Sequence, residues 1–74
     1  MNVQVKPASC PLREVEVEIL QKIADGFVLK QIAHDAGISE AAVSNRIERA
    51  RQRVGAGNST LTFVATALRC GWIH

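Results

Sequence analysis

From Leu12 onward the apolar residues fall in steps of three and four. Leu12, Val15, Ile19 and Ile23 recur at that spacing, with Leu20 and Ala24 widening the stripe, as the buried face of an α-helix requires. Gly26 follows Asp25 as a C-cap, so the pattern predicts a first helix over about 12–25. Leu29, Ile32, Ala33 and Ala36 predict a short second helix over about 29–36, broken by Gly37. Ser39 is a good N-cap for a third helix over about 40–54, whose inward row is Val43, Ile47, Ala50 and Val54. That helix stops at "GAGNST", where two glycines and an asparagine signal a loop. The run "TLTFVAT" has the β-branched content of a strand, but the steps Leu61, Val64, Ala65 and Leu68 favour a fourth helix over about 60–70, stopped by Gly71. Residues 1–10, with Pro7 and Pro11 bracketing a loop, show no period. They are expected to form an N-terminal arm ahead of a domain over 11–74.

Nothing alternates with period two for long, so the expected fold class is all-α, with four helices and tight connections. The second and third helices are joined by "AGIS". A turn of three to four residues containing glycine, between a short and a longer helix, describes a helix-turn-helix. Ala33 would let the two helices approach, Gly37 would supply the turn backbone, and Ile38 and Val43 would plug the angle. A plain αα-hairpin has no need of this spacing.

With Val43, Ile47, Ala50 and Val54 turned inward, the opposite face of the third helix carries Ala41, Ser44, Asn45, Glu48 and Gln52. Arg46, Arg49 and Arg53 form a row on one flank and Arg51 stands on the other. Small and amide side chains in the middle, with cations beside them, suit a helix in a DNA major groove: the middle meets base edges and the cations reach phosphates. Asn45 can pair bidentately with adenine, and Glu48 can accept from the cytosine amino group. The bland alternative is a solvated helix face on which Glu48 pairs with Arg51 or Gln52, worth about 0.3–0.5 kcal/mol a pair.

Charge changes this picture only through its distribution. The chain has a formal net charge of +2 over 74 residues, which by itself argues nothing about partners. The acids Glu14, Glu16 and Glu18 crowd the front and the arginines crowd the third helix, so a near-neutral chain keeps a basic face for a polyanion. The two cysteines, Cys10 and Cys70, lie near opposite ends with no metal-ligand spacing, which argues against structural zinc and for the reduced state. No apolar run suits a membrane span and no signal peptide is recognisable, so the expected location is the cytoplasm of a bacterial or phage-infected cell. His34 and His74 have no organised acid, nucleophile or metal partner, so neither an enzyme nor a cofactor is expected.

Five pieces of the sequence together carry a resemblance: "L..VE.EIL..IADG", "K.IA", "ISEAAV", "G.GN" and "VATALR.GWI". Nearly all of the chain after the arm resembles the LuxR/GerE-type DNA-binding domain. The middle alone, "ISEAAVSNRIERARQRV", is equally similar to the C-terminal helix-turn-helix domain of bacterial sigma factors, and the ending tips the choice to LuxR/GerE. The resemblance implies four helices, a third helix placed in the major groove of double-stranded DNA, and dimerisation through the last helix. By position the resemblance implies base-facing contacts at Ser44, Asn45 and Glu48 and phosphate contacts at Lys30, Arg46 and Arg49; the reading of the residues themselves adds Ala41 toward the bases and Ser39 and Arg53 toward phosphates. The chain departs from the family where Ser44 stands, more often lysine or arginine, and where Arg46 stands, commonly histidine. Val28-Leu29 replaces the usual polar cap of the second helix, a loss of about 1 kcal/mol that also sets Phe27, Val28 and Leu29 side by side. The loop "GAGNST" is one residue longer than usual.

In the fourth helix Val64 and Leu68 are expected to face inward, leaving Phe63, Ala67 and Cys70 as an adjacent apolar stripe for a dimer interface. Trp72 and Ile73 are expected to fold back on the first helix. The leading expectation is a stand-alone, sequence-specific transcription regulator acting as a homodimer. The second is an interaction protein that keeps the fold but binds another regulator or RNA polymerase through its apolar surfaces.

Overall fold

Four helices of the computed structural model account for most of residues 10–74, the part of the chain the structure describes; the expected arm at 1–10 lies outside it except for Cys10. They are α1 (Glu14–Ala24), α2 (Leu29–Ala36), α3 (Glu40–Val54) and α4 (Thr60–Arg69), with no strand among the described residues. The second and third match the expected bounds. The first starts two residues late, because the chain at Pro11–Arg13 is still extended and Leu12 enters the core from outside the helix.

Each helix begins where a local group satisfies its free N–H donors, or where the core compensates for the lack of one. Ser39 Oγ accepts from the Ala42 N–H at 3.0 Å, and Ser59 Oγ from the Thr62 N–H at 3.2 Å. At α1 the partner comes from inside: the Arg13 N–H donates to Glu16 Oε1 at 2.9 Å. Val28, in the N-cap position of α2, offers no side-chain cap. That helix is held instead by Ile32 and Ala33, both buried. Gly37 takes a left-handed backbone at φ 71°, which lets the Ile38 N–H reach back to the Ala33 carbonyl at 3.1 Å and ends α2 sharply.

The core gathers Leu12, Ile19, Leu20, Ile32, Val43, Ile47, Ala50, Phe63, Val64, Ala67 and Ile73. Helix α3 lies at its centre, packed against α1, α2 and α4. Val43, Ile47 and Ala50 are buried as expected, and Val54 is half-buried. In the first two helices, two expected core positions are not in the core: Val15 is 38% exposed and Ala36 is exposed. Val15 sits a quarter-turn off the line of Ile19, Leu20 and Ile23, and Ala36 ends α2 beside its C-cap.

The fourth helix is rotated relative to expectation. Phe63 and Ala67 are fully buried, while Leu61 is 78% and Leu68 46% exposed. The expected interface residues Phe63 and Ala67 are therefore core residues, and Leu68, expected to point inward, lies at the surface. Two adjacent apolar stripes competed for the interior, and the one carrying the largest side chain was buried, as its area dictates. The chain then doubles back. Trp72 donates its N–H to the Ala67 carbonyl at 2.9 Å, Ile73 enters the core, and the Gln21 amide exchanges hydrogen bonds of 2.6 and 2.8 Å with the backbone of His74.

Candidate nucleic-acid interface

The outward face of α3 is built by the same residues that fix its inward face. Burial of Val43, Ile47 and Ala50 sets the helical phase, and Ala41, Ser44, Asn45, Glu48 and Gln52 are then all exposed. The Ser39 cap and the left-handed Gly55 C-cap, φ 68°, bound the helix at fifteen residues. Its length is about 22 Å at 1.5 Å per residue, enough to lie along a groove of DNA.

Glu48 is the one acid in the middle of this face, and its charge is compensated within the domain. Arg51 grips it side-on: Nε donates to Oε1 at 3.3 Å, and Nη2 to Oε2. Gln52 Nε2 donates to Oε2 at 3.1 Å. Hydrogen bonding from Arg51, with its charge, holds the Glu48 carboxyl below the usual carboxylate range, so Glu48 is ionised near neutral pH. The other arm of Arg51 donates to the Gly57 carbonyl in the α3–α4 loop. Arg51, expected to reach phosphates, is thus spent inside the domain, and its side chain is only 14% exposed.

Arg53 also departs from expectation. Its guanidinium turns toward α1 and pairs with Glu16 at 2.6 and 3.0 Å, with a further bond of 3.3 Å to the Pro11 carbonyl. Glu16 is buried in this pair, and the Arg53 hydrogen bonds hold its carboxyl below the usual range despite the opposing effect of burial. The acid in the first turn of α1 was visible in the sequence, but its partner lies 37 residues away, and no local pattern connects them.

Lys30, Arg46 and Arg49 remain. All three are exposed, and among the described residues none makes an ion pair or a side-chain hydrogen bond. Ser39 is exposed but uses its hydroxyl as the α3 cap. The base-facing candidates therefore form one surface bordered by two arginines, not the three expected on that flank. A groove of about 490 Å³ opens beside it, where Ser44, Asn45 and Glu48 face Phe27, Leu29 and Thr60. Phe27, 41% exposed, was noticed in the sequence as part of an apolar cluster but not as a neighbour of α3. At the expected dimer surface only Cys70 of the three named residues is exposed, and the accessible apolar stripe is Leu61, Ala65 and Leu68.

Comparison with models of protein families gives a match over residues 11–65 to the one described as GerE, bacterial regulatory proteins of the luxR family. No curated protein and no solved structure matches the chain.

Proposed function

The chain belongs to the luxR family of bacterial regulatory proteins, and from that premise we propose that it is a sequence-specific transcription regulator that binds duplex DNA as a homodimer, with α3 in the major groove. The observation that carries this reading is the composition of the exposed α3 face. Ala41, Ser44 and Asn45 allow close approach, the Glu48 charge is offset by Arg51, and the unpaired Arg46 and Arg49 stand at the edge with Lys30 nearby. The Glu48 pairing with Arg51 and Gln52 is also what a solvated helix face would show, so the reading rests on the open Arg46 and Arg49 beside Ser44 and Asn45 in a chain of this family. Arg46, Arg49 and Lys30 supply phosphate contacts, and Asn45 and Ser44 meet bases, with the Glu48 carboxylate held in place to accept from a cytosine amino group.

Selection from a random duplex library at two salt concentrations tests the reading. A preferred sequence whose affinity falls steeply with salt supports it, and the absence of any preference above general duplex affinity sinks it. At the residue level, Asn45→Ala is expected to cost about 1–3 kcal/mol on the preferred site and to relax selection at one base pair. Arg49→Ala is expected to weaken all duplexes alike and to lower the salt slope by about 1. A mobility-shift series over both variants distinguishes these patterns. An unchanged preferred sequence in Asn45→Ala would mean that α3 lies differently in the groove.

For the homodimer, support comes from Leu61, Ala65 and Leu68. They recur in steps of four and three along α4 and lie at the surface, with Cys70 beyond them. Leu68→Glu should shift the sedimentation of a dimer to that of a monomer while helical content is kept. An unchanged sedimentation coefficient in this variant would place the pairing surface elsewhere.

A further inference from the structure

The face of α1 turned away from the core is acidic, and an apolar trough lies along it. Glu16, Ile19, Leu20 and Ile23 point toward the rest of the domain, which sets Glu14, Glu18 and Asp25 about half a turn away, all exposed. Between this face and the C-terminal turn runs a groove of about 920 Å³, whose apolar lining is Val17, Phe27 and Trp72. Its polar lining includes the three carboxylates against the single ammonium of Lys22. The walls are fixed, since Gln21 is bonded twice to the His74 backbone and donates to Asp25 Oδ1 at 3.2 Å.

Two features of the groove point to its occupant. Phe27 and the half-buried Trp72 are large aromatic surfaces left partly in water, the side chains that anchor protein interfaces when covered. The rim is acidic in a chain of net charge +2, so it repels nucleic acid and anionic lipid and attracts cationic side chains. Glu14 and Glu18 lie one helical turn apart on the same face, a spacing that a second helix carrying basic residues one turn apart can match. We propose that this groove docks a basic amphipathic helix of a partner protein, its apolar side chains on Val17, Phe27 and Trp72 and its lysines or arginines on Glu14, Glu18 and Asp25. Phe27 also borders the groove beside Ser44, Asn45 and Glu48, so the docked partner lies next to the proposed DNA face, and duplex binding is measured separately.

Trp72 is the only tryptophan of the chain, so its fluorescence reports on the groove directly. The full chain is titrated with a synthetic amphipathic helical peptide of leucine and lysine, and with its leucine and glutamate counterpart. The lysine peptide is expected to shift the Trp72 emission saturably, and the glutamate peptide to leave it unchanged. The double variant Glu14→Gln/Glu18→Gln is expected to bind the lysine peptide about tenfold more weakly, while its helical circular dichroism stays as in the parent. Equal responses to both peptides, or undiminished binding by the double variant, would overturn the proposal. So would an emission shift without peptide, either on raising the protein concentration or on deleting residues 1–9, which would assign the groove to a second copy or to the chain's own first residues.

Discussion

Phe63→Ala is expected to destabilise the domain by about 3–5 kcal/mol, the loss usual for truncating a fully buried aromatic ring. Phe63 is 0% exposed and is packed in the core with Val64, Ala67 and Ile73. A chain of this length has only on the order of 4–11 kcal/mol of stability in total, so the variant loses a large share of it. Urea unfolding followed by circular dichroism measures the loss. If Phe63 lined a dimer interface instead, the variant would keep most of its monomer stability and lose self-association. The expected outcome is the reverse: a large loss of monomer stability, whereas Leu68→Glu keeps the fold. A Phe63→Glu variant would be a poor probe of pairing for the same reason.

Glu16→Gln should have the second largest effect, about 2–3 kcal/mol at neutral pH. Removing one partner of a buried pair strands the other, and the usual cost of about 3–5 kcal/mol is reduced here because the Arg53 side chain is 36% exposed. The glutamine keeps the volume and can still accept from the Arg13 N–H, so the loss isolates the charge. Its pH dependence follows from the lowered pKa. In the unfolded chain Glu16 titrates near 4.3, and in the folded chain below that. The stabilisation is therefore complete above about pH 4.3 and disappears as the pH falls through the folded value. Urea midpoints of parent and variant should differ by 2–3 M at pH 7, taking about 1 kcal/mol per molar for a domain this small, and converge in strong acid. A difference that persisted undiminished there would show that Glu16 acts by shape and not by charge.

The helices were legible because each rests on local chemistry. Ser39 and Ser59 announce starts, Gly37 and Gly55 announce stops, and Ile47 and Ala50 hold the α3 phase between them. That phase also brought Ala41, Ser44, Asn45 and Glu48 to the surface as expected, since a helix with one clear apolar row has only one opposite face. Where two rows were available, as in α4, periodicity could not choose between them, and the volume of Phe63 decided. The arginines were hardest to read. Arg46, Arg49, Arg51 and Arg53 look alike in the sequence, yet two are open and two are committed, one to Glu48 and Gly57 and one to Glu16. Long side chains reach partners that no spacing rule specifies, and Arg53 finds its partner across 37 residues.

Glu14, Glu18 and Asp25 at α1 and Lys30, Arg46 and Arg49 on α2 and α3 spread the exposed charge of this small domain unevenly. A polyanion acts on such an object before touching it, pulling the arginine side in and pushing the carboxylate side away. The resulting torque turns the molecule during diffusion, so a larger share of encounters begins with the exposed arginines toward the polyanion. Steering of this kind raises association rates by roughly tenfold or more at low ionic strength and fades as salt screens the field. A net charge of only +2 therefore describes the approach to a polyanion incompletely: the distribution of the charges contributes to the rate beside their sum.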